Sequence, residues 1–139
     1  MIFVDTNVLM YAAGGDHPLQ RPCREIVDGI GDRSIAATTS VEVVQEIVHR
    51  YVATGRAQSG LALAELTLDL FAPVLPITHA LMRRVPDFAR RYPGLAARDV
   101  IHVATCVHEG INAILSTDRG FDGVREVRRI GPEDFAASR

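Results

Sequence analysis

Four carboxylates stand where acids commonly do chemistry, because each comes where an apolar segment ends or a helix is predicted to begin. They are Asp5, Glu46, Asp99 and Asp118. Asp5 directly follows the apolar run from Met1 to Val4, and Asp118 comes just after the apolar run 113–115. Parallel strands of one sheet end at a common edge, where open α/β sheets place their ligands. The pattern therefore predicts that Asp5 and Asp118 meet at that edge, although they are far apart in the sequence.

Several carboxylates in one place repel one another, so such a group is tolerated mainly where a cation supplies the opposite charge. Carboxylate oxygens are hard ligands that favour Mg²⁺ or Mn²⁺ over zinc. One or two such ions could activate water, orient a phosphodiester and stabilise the leaving oxygen. The combination indicates a metal-dependent nuclease. The sequence has no G-x-x-x-x-G-K, G-x-G-x-x-G or G-x-S-x-G motif that would favour another enzyme class.

Each acid also has a simpler structural interpretation. Asp5 stands where it can cap a helix N-terminus, and taken alone it is sufficiently explained by this role. Asp118 precedes Arg119 and Gly120 in a turn-like segment. Asp99 opens a helix, where the positive end of the helix dipole favours a carboxylate. The combination of the acids, and not any single one, favours a site.

Two glutamates on one predicted helix compete for the same role. Thr39 and Glu42 fit the S/T-x-x-E capping box, which is a sufficient structural explanation for Glu42. Glu46 has no such explanation, and it stands beside the apolar residues Ile47 and Val48. An acid near a buried helix face needs a partner or a metal. The spacing therefore favours Glu46 as the site residue and leaves a contribution from Glu42 open.

Two histidines follow site acids at helical spacing. His49 comes three residues after Glu46, and His102 comes three residues after Asp99. This spacing is also typical of the carboxylate–histidine pairs of di-iron helix bundles. Such a bundle has inward acids on two further helices, and the predicted strands argue against it. The segment 57–72, which would have to supply such acids, contains only Glu65 and Asp69. We therefore interpret both histidines as core or supporting residues.

Predicted strands and helices alternate along the chain. Periodicity and Gly/Pro breaks predict strands at 2–4, 34–38, 74–75, 113–115 and 124–128. The helices are predicted at 6–13, from Pro18 to about residue 30, at 39–54, 61–71, 78–91 and 96–109, with a short turn after Pro132. This alternation predicts a three-layer α/β/α domain with a central, mainly parallel sheet.

Composition indicates a single domain spanning residues 1–139. The chain is 47% hydrophobic, and a chain of this length buries roughly two thirds of its unfolded surface. No apolar run approaches the roughly 20 residues of a membrane span, and no signal-peptide pattern is evident, so we expect a cytoplasmic protein. Cys23 and Cys106 lack C-x-x-C spacing and are interpreted as reduced core thiols.

The formal net charge of −2 does not itself indicate nucleic acid, but the arginines are unevenly distributed. They concentrate in two groups, Arg83, Arg84, Arg90, Arg91 and Arg98 around Tyr92, and Arg125, Arg128 and Arg129. A solvated helix face with a charged edge strand and a phosphate-binding surface explain this equally well. Arg84, Arg91 and Arg98 are the candidate RNA contacts.

Four short motifs in order resemble one known family over nearly the whole chain. They are Asp-Thr-Asn at 5–7, Thr-Ser-Val-Glu-Val-Val-Gln-Glu at 39–46, Ala-Arg-Asp-Val-Ile-His at 97–102, and Ser-Thr-Asp-Arg-Gly-Phe at 116–121. With these motifs the chain resembles the PIN-domain ribonucleases of the VapC toxin type. The resemblance implies an endoribonuclease dependent on Mg²⁺ or Mn²⁺ and built on a lone PIN domain.

The resemblance also implies roles for individual residues. Asp5 and Asp99 would be the principal metal ligands, and Glu46 and Asp118 would complete the site or act through water. Hydrogen bonds from the supporting residues would hold these ligands; these residues are Asn7, Thr117 and Thr6. A role for Asp122 in the acidic cluster stays open beside a role in the turn.

The partners implied by the resemblance are a VapB-like antitoxin, whose tail enters the groove, and a second copy of the chain in a homodimer. The RNA would be cut by a metal-held water, with single-stranded loops as the expected substrates. Two alternatives remain: a PIN-like module that binds RNA or protein without catalysis, and a metal-dependent phosphatase. Against the phosphatase, Asn7 stands where an Asp-x-Asp motif would have its second acid.

Overall fold

A four-stranded, all-parallel sheet lies at the centre of the computed structural model, which describes residues 1–139. The strand order is β2-β1-β3-β4. The strands are β1 Ile2–Val4, β2 Ala37–Thr38, β3 Ala113–Leu115 and β4 Arg128–Ile130. Phe3 lies opposite Thr38 on one side and Ile114 on the other. Because β1 is central and covered on both faces, it consists of consecutive buried apolar residues.

Eight helices flank the sheet and complete the predicted α/β/α arrangement. They are α1 Thr6–Ala13, α2 Gln20–Gly31, α3 Val41–Ala53, α4 Ala57–Leu70, α5 His79–Met82, α6 Val85–Arg91, α7 Ala97–Glu109 and α8 Pro132–Ala137. A 3-10 turn spans Arg119–Gly123. Helix α1 packs on α2 and α3, α3 packs on α4, and α5 and α6 pack on α7.

Two predicted strands are wrong, and one is shorter than predicted. Only Ala37–Thr38 of the segment 34–38 pairs in the sheet, and the segment 74–75 contributes a single bridge between Leu75 and Ser40. The last strand is Arg128–Ile130 and not 124–128. Val124 and Val127 are buried in the core without belonging to a strand. Their apolar side chains gave the segment the hydrophobic pattern of a strand.

The predicted helix 78–91 is two helices, α5 and α6. The residues between them are Arg83 and Arg84, and Pro86 lies in the first turn of α6, where its missing N–H costs nothing. Helix α4 begins at Ala57, earlier than the predicted residue 61, and the segment after Gly131 forms a helix, α8, where a turn was predicted.

The predicted capping box at the start of α3 does not form. Ser40 occupies the cap position, and α3 begins at Val41. The hydroxyl of Thr39 instead donates to the carbonyl oxygen of Val4 at 2.8 Å, linking the end of β2 to the end of β1. Glu42 therefore loses the structural role that the sequence indicated, and its side chain is half-buried in the first turn of α3.

Both cysteines are unpaired and buried, as predicted. Burial raises the pKa of each thiol, Cys23 and Cys106, to about 12, so both remain protonated. No helix in the structure has the length and apolar character needed to cross a membrane.

Candidate active site

The four predicted acids lie together in one polar cleft at the carboxyl edge of the sheet. Asp5 follows β1, Glu46 is on α3, Asp99 is in the first turn of α7, and Asp118 follows β3. The cleft encloses about 240 Å³. Its other lining residues are Asn7, Arg50, Ala96 and Arg98. Acids from four separate elements therefore converge on one cavity.

Asp5 caps α1 and faces the cleft at the same time. Its Oδ1 accepts a hydrogen bond from the backbone N–H of Thr6 at 2.7 Å. Its Oδ2 accepts from the hydroxyl of Ser116 at 2.6 Å and from the amide of Asn7 at 3.1 Å. These neutral donors orient the buried carboxylate without cancelling its charge. The same carboxylate therefore caps α1 and lines the acidic cleft.

Asn7 connects the start of α1 to the end of β3. Its Oδ1 accepts from the backbone N–H of Thr117 at 3.1 Å, and its Nδ2 donates to the hydroxyl of Ser116 at 3.2 Å. Thr117 thus contributes to the site through its backbone N–H, which orients Asn7. Ser116, which is fully buried, was not among the predicted site residues. Its position in the sequence could have indicated a site residue, because Ser116 follows β3 directly just as Asp5 follows β1.

Glu46 is buried and held by three side chains. Its Oε2 accepts from the hydroxyl of Thr6 at 2.5 Å. Its Oε1 accepts from Arg98 at 3.0 Å and lies 3.5 Å from Nε of Arg50. These partners explain why an acid is tolerated on the buried face of α3. Arg50 was missed, although it stands four residues after Glu46, the spacing at which helical side chains meet.

Asp99 and Asp118 form the more open part of the cleft. Burial, reinforced by the carboxylates of Asp5 and Asp118, raises the pKa of Asp99 to about 7. Asp118 is exposed; it caps the 3-10 turn by accepting from the N–H of Gly120 at 2.8 Å. The raised pKa of Asp99 marks a half-buried carboxylate whose charged neighbours are further carboxylates.

His102 lies directly behind Asp5 and is fully buried. Neither ring nitrogen has a hydrogen-bond partner, and Nε2 is 3.5 Å from Oδ1 of Asp5. Burial lowers the pKa of His102 despite the nearby acids, so the ring is neutral. Single donor atoms of His102, Asp5 and Glu46 lie within 4.8 Å of one another. This agrees with a supporting role for His102.

His49 does not share that environment. It is exposed on α3, so the interpretation of this histidine as a core or supporting residue is wrong. The di-iron pattern also fails, because the acids that α4 would have to supply are exposed to solvent. They are Glu65 and Asp69.

Several candidate residues lie outside the cleft. Asp122 is exposed and pairs with Arg129 at 2.6 Å, and this hydrogen bond lowers the pKa of Asp122, so its role belongs to the turn. Glu42 does not line the cleft. Of the three candidate RNA-binding arginines, Arg98 is in the cleft, whereas Arg84 and Arg91 are exposed on the segment that carries α6. Arg91 donates to Glu126 at 2.7 Å.

The residues fit a divalent cation. Carboxylate oxygens dominate the donor set, as hard cations require. The pKa of Asp99 is raised by burial and by neighbouring carboxylates, and a bound cation would favour its charged form. The unpartnered imidazole nitrogens of His102 lie beside two of these carboxylates. A parallel α/β/α domain with this acidic centre defines a class of metal-dependent hydrolases.

Comparison with known proteins narrows that class. The family model for the PIN domain matches residues 2–127. Ribonuclease VapC23 of Mycobacterium tuberculosis is 39% identical over 118 residues, which cover 85% of this chain and 93% of that protein. The chain belongs to the PIN-domain family, in its VapC branch.

Solved structures agree on the fold. VapC20 of Mycobacterium tuberculosis, described as a toxin that cleaves the sarcin-ricin loop, superimposes with a TM-score of 0.74 at 17% identity over 91% of this chain and 97% of that one. VapBC2 from Rickettsia felis, bound to a DNA fragment from its promoter, gives 0.74 at 11% identity over 94% of this chain and 98% of that one. At such identities these structures establish the fold alone.

Proposed function

We propose that this chain is a divalent-metal-dependent endoribonuclease and the toxin of a VapBC-type toxin–antitoxin pair. The observation that carries the proposal is the convergence of Asp5, Glu46, Asp99 and Asp118 on one cleft from four elements. The name of the VapC23 relative, a ribonuclease, supports RNA as the substrate. Such a toxin acts in the cytoplasm, where its RNA substrates are.

The four acids would hold the cation, and we assign Mg²⁺ or Mn²⁺ because oxygen donors prefer these hard ions. When bound, such an ion lowers the pKa of water and offsets the charge of the phosphate. The protein supplies the orientation: Ser116 and Asn7 fix Asp5, and Thr6 fixes Glu46. Arg98 and Arg50 place positive charge at the same cleft for the phosphodiester.

Cleavage of total cellular RNA by purified wild-type and Asp99→Asn protein tests the proposal. Asp99 is the most informative acid to replace, because its side chain, unlike that of Asp5, does not cap a helix and its loss removes no helix cap. We expect discrete cuts with Mg²⁺ or Mn²⁺, none with EDTA, and a loss of about 100-fold or more in Asp99→Asn. Mapped fragment ends would identify the target.

Asp87→Asn is the matched control, because Asp87 is an exposed acid on α6 that pairs only with Arg90. It should cut RNA at the wild-type rate. Folded protein that is free of antitoxin, binds RNA in EDTA and never cuts it would favour the non-catalytic module. Hydrolysis of a chromogenic phosphomonoester as fast as RNA would favour the phosphatase.

We also propose that a VapB-like antitoxin covers part of the surface, as the name of the VapBC2 complex indicates for that protein. An apolar cavity of about 220 Å³ lies between α1, α2 and α4, and Leu66 at its rim is 56% exposed. Burying such side chains against a partner is favourable. Leu66→Asp should reduce recovery of the co-expressed antitoxin with the purified toxin.

The proposal includes a homodimer that uses the outer face of α3. Val52 and Val41 are exposed there, and Val44 and Val48 line the same apolar surface. Light scattering should show a dimer for the wild type and a shift toward monomer for Val52→Asp. Leu66→Asp serves as the reciprocal control, because it should leave the dimer intact. A wild-type monomer at all concentrations would refute this part of the proposal.

A further inference from the structure

A second depression adjoins the acidic cleft on the side of α1 and α3. Two adjacent cavities, each of about 290 Å³, share Met10, Arg50 and Arg56 in their walls. Arg98 lines one of them and Asn7 lines the other, and both residues also line the acidic cleft. The two cavities therefore form a continuous extension of the active site, which we call the α1/α3 groove.

The α1/α3 groove is basic, although it begins at a cluster of acids. Its walls contain three arginines, Arg50, Arg56 and Arg98, and no aspartate or glutamate. The side chains of Arg50 and Arg98 are 52% and 39% exposed, so their guanidinium groups reach solvent even though each contacts Glu46. The Arg56 guanidinium stacks over the ring of Tyr51 at 4.6 Å, which limits its freedom. Several arginines lining one groove provide partners for the negative charges of a polynucleotide backbone.

An aromatic surface stands in the same groove. The half-buried ring of Tyr11 lies 4.7 Å from the ring of the exposed His17, at an interplanar angle of 31°. Tyr11 lines the groove together with Arg50 and Arg56. Unpaired bases stack on aromatic rings regardless of their identity, which makes such a ring a platform for single strands.

We propose that the α1/α3 groove holds the single-stranded segment of RNA that adjoins the cut phosphodiester, with Arg50, Arg56 and Arg98 on its phosphates and Tyr11 under a base. The inference rests on the proposed ribonuclease function and adds the path of the strand. Of the three arginines that the sequence predicted as RNA contacts, the proposal keeps Arg98 and gives no role to Arg84 and Arg91. Neither of those two lines the cleft or the groove, and Arg91 is already paired with Glu126.

Fluorescence anisotropy with a labelled single-stranded RNA of mixed sequence tests the groove. The measurement uses Asp99→Asn protein in EDTA, so that cleavage does not intervene, and varies the salt concentration. Arg50→Gln and Arg56→Gln should each raise Kd several-fold and reduce the slope of log Kd against log salt by about 0.7, the value for one phosphate contact in a single strand. Tyr11→Leu should raise Kd and leave the slope unchanged, because stacking releases no counterions, whereas Tyr11→Phe should bind like its parent.

Arg128→Gln is the matched control: Arg128 is an exposed arginine at the start of β4, and the acids follow the opposite ends of the strands. It should change neither Kd nor the slope. A thiouridine-containing RNA, crosslinked by light to the protein without further substitution, should attach to the peptide that contains Tyr11 and not to α6. This second measurement does not depend on the folding of any groove variant.

Wild-type-like binding by both Arg50→Gln and Arg56→Gln would overturn the proposal, as would an equal or larger effect of Arg84→Gln. In either case metal-dependent cleavage by the wild type would still support the ribonuclease function. Absence of both RNA binding and RNA cleavage would overturn the groove and the function together.

Discussion

Neutral donors, more than cations, hold the acids of this cleft. Asp5 accepts from Ser116, Asn7 and the N–H of Thr6, and none of these groups carries charge. Only Glu46 contacts arginines. A neutral donor fixes the direction of a carboxylate and leaves its charge available to a cation, whereas an ion pair would offset it. The supporting residues should therefore influence metal affinity as well as stability.

Ser116→Ala tests this at the level of one hydroxyl. The change removes the 2.6 Å bond to Asp5 and the acceptor of the Asp118 N–H. We expect cleavage at limiting metal to fall by about 10- to 100-fold, and more metal to be needed for half-maximal activity, because outer partners of metal ligands tune affinity. Titration of the cleavage rate with Mn²⁺ measures both quantities.

Thr39→Val is the control for Ser116→Ala. It also removes a buried hydroxyl at a strand end, but that hydroxyl bonds the carbonyl of Val4 and touches no acid. It should lower stability by about 1 kcal/mol and leave the metal requirement unchanged. An unchanged metal requirement in Ser116→Ala would refute the tuning role and leave Ser116 a purely structural residue.

At the level of elements, sequence patterns located those whose signals are local. The predicted bounds of α1 agree with the structure, because Asp5 caps it and Gly14 ends it, and β1 and β3 are short apolar runs. Strand β4 was misplaced because its residues, Arg128–Ile130, are not a buried apolar run. Its place depends on pairing with Ala113–Leu115, a distant contact that no local pattern encodes.

The acids could be predicted from the sequence, whereas two of their partners, Ser116 and Arg50, could not, for a related reason. Asp5 and Asp118 could be proposed from the sequence alone, because each comes after an apolar run that forms a strand. Ser116 and Arg50 matter through what they touch across elements, and serine and arginine are common in turns and on helix surfaces. Arg98 was named, but its contact with Glu46 depends on how α7 sits beside α3.

The packing of α3 on α4 depends on the absence of a side chain at Gly60. A Cβ at this position would collide with Cβ of Tyr51 and lie 2.9 Å from its Cγ. Alanine favours a helix over glycine by about 1 kcal/mol, but overpacking costs about 1–3 kcal/mol and here involves an atom next to the backbone. We expect Gly60→Ala to lower Tm by several degrees, measured by differential scanning calorimetry.

Gly31→Ala is the matched control for the effect of helix propensity. Its new Cβ would meet only Leu70 Cδ1 at 3.8 Å, an ordinary contact, so Tm should stay the same or rise. If Gly60→Ala also left Tm unchanged, the close approach of α3 and α4 at Tyr51 would be refuted.

Tyr92 joins the end of α6 to the segment before β4. Its hydroxyl donates to Glu126 at 2.8 Å and accepts from the N–H of Arg125 at 3.1 Å. Burial raises the pKa of Glu126, but the hydrogen bonds from Tyr92 and Arg91 outweigh it and the pKa lies below its usual value. A lowered carboxyl pKa stabilises the fold above the unfolded pKa, and this stabilisation is lost as the pH falls through the folded value.

Tyr92→Phe should therefore cost about 1–2 kcal/mol near neutral pH, and less below about pH 4, where Glu126 gains a proton. Urea unfolding at several pH values measures this. Arg90→Gln breaks only a fully solvated pair with Asp87 and should be nearly neutral throughout. A deficit in Tyr92→Phe that is independent of pH would mean that lost packing, and not the bond to the carboxylate, is responsible.

At the scale of the whole molecule, the carboxyl edge of the sheet is both part of the folded core and the place where the negative charges of the site concentrate. The acids that would bind a cation lie after β1 and β3, in the first turn of α7 and on the buried face of α3, so their mutual repulsion acts on the fold itself. Functional sites commonly carry such a local cost in stability. We therefore expect metal binding and folding to be linked in this protein.

Saturating Mn²⁺ or Mg²⁺ should raise Tm. At about 100 times Kd, a ligand stabilises the native state by about 2.7 kcal/mol, which for a chain of this size corresponds to roughly 10 °C. Differential scanning fluorimetry with and without EDTA checks the shift. In Asp99→Asn the shift should be much smaller, and in EDTA this variant should melt above the wild type because one repelling charge is gone.

Asp87→Asn should show the full metal shift. Equal metal shifts in wild type and Asp99→Asn would place the bound ion elsewhere and contradict the assignment of the cleft as the metal site.

The bond between Ser116 and Asp5 joins residues 111 positions apart. During synthesis, Asp5 and Glu46 leave the ribosome long before Asp118 and before β3, which must pair with β1. A nascent chain therefore has no assembled acidic centre until Asp118 has emerged. The ribosome that makes this protein translates beyond Asp118 before its product can cut RNA.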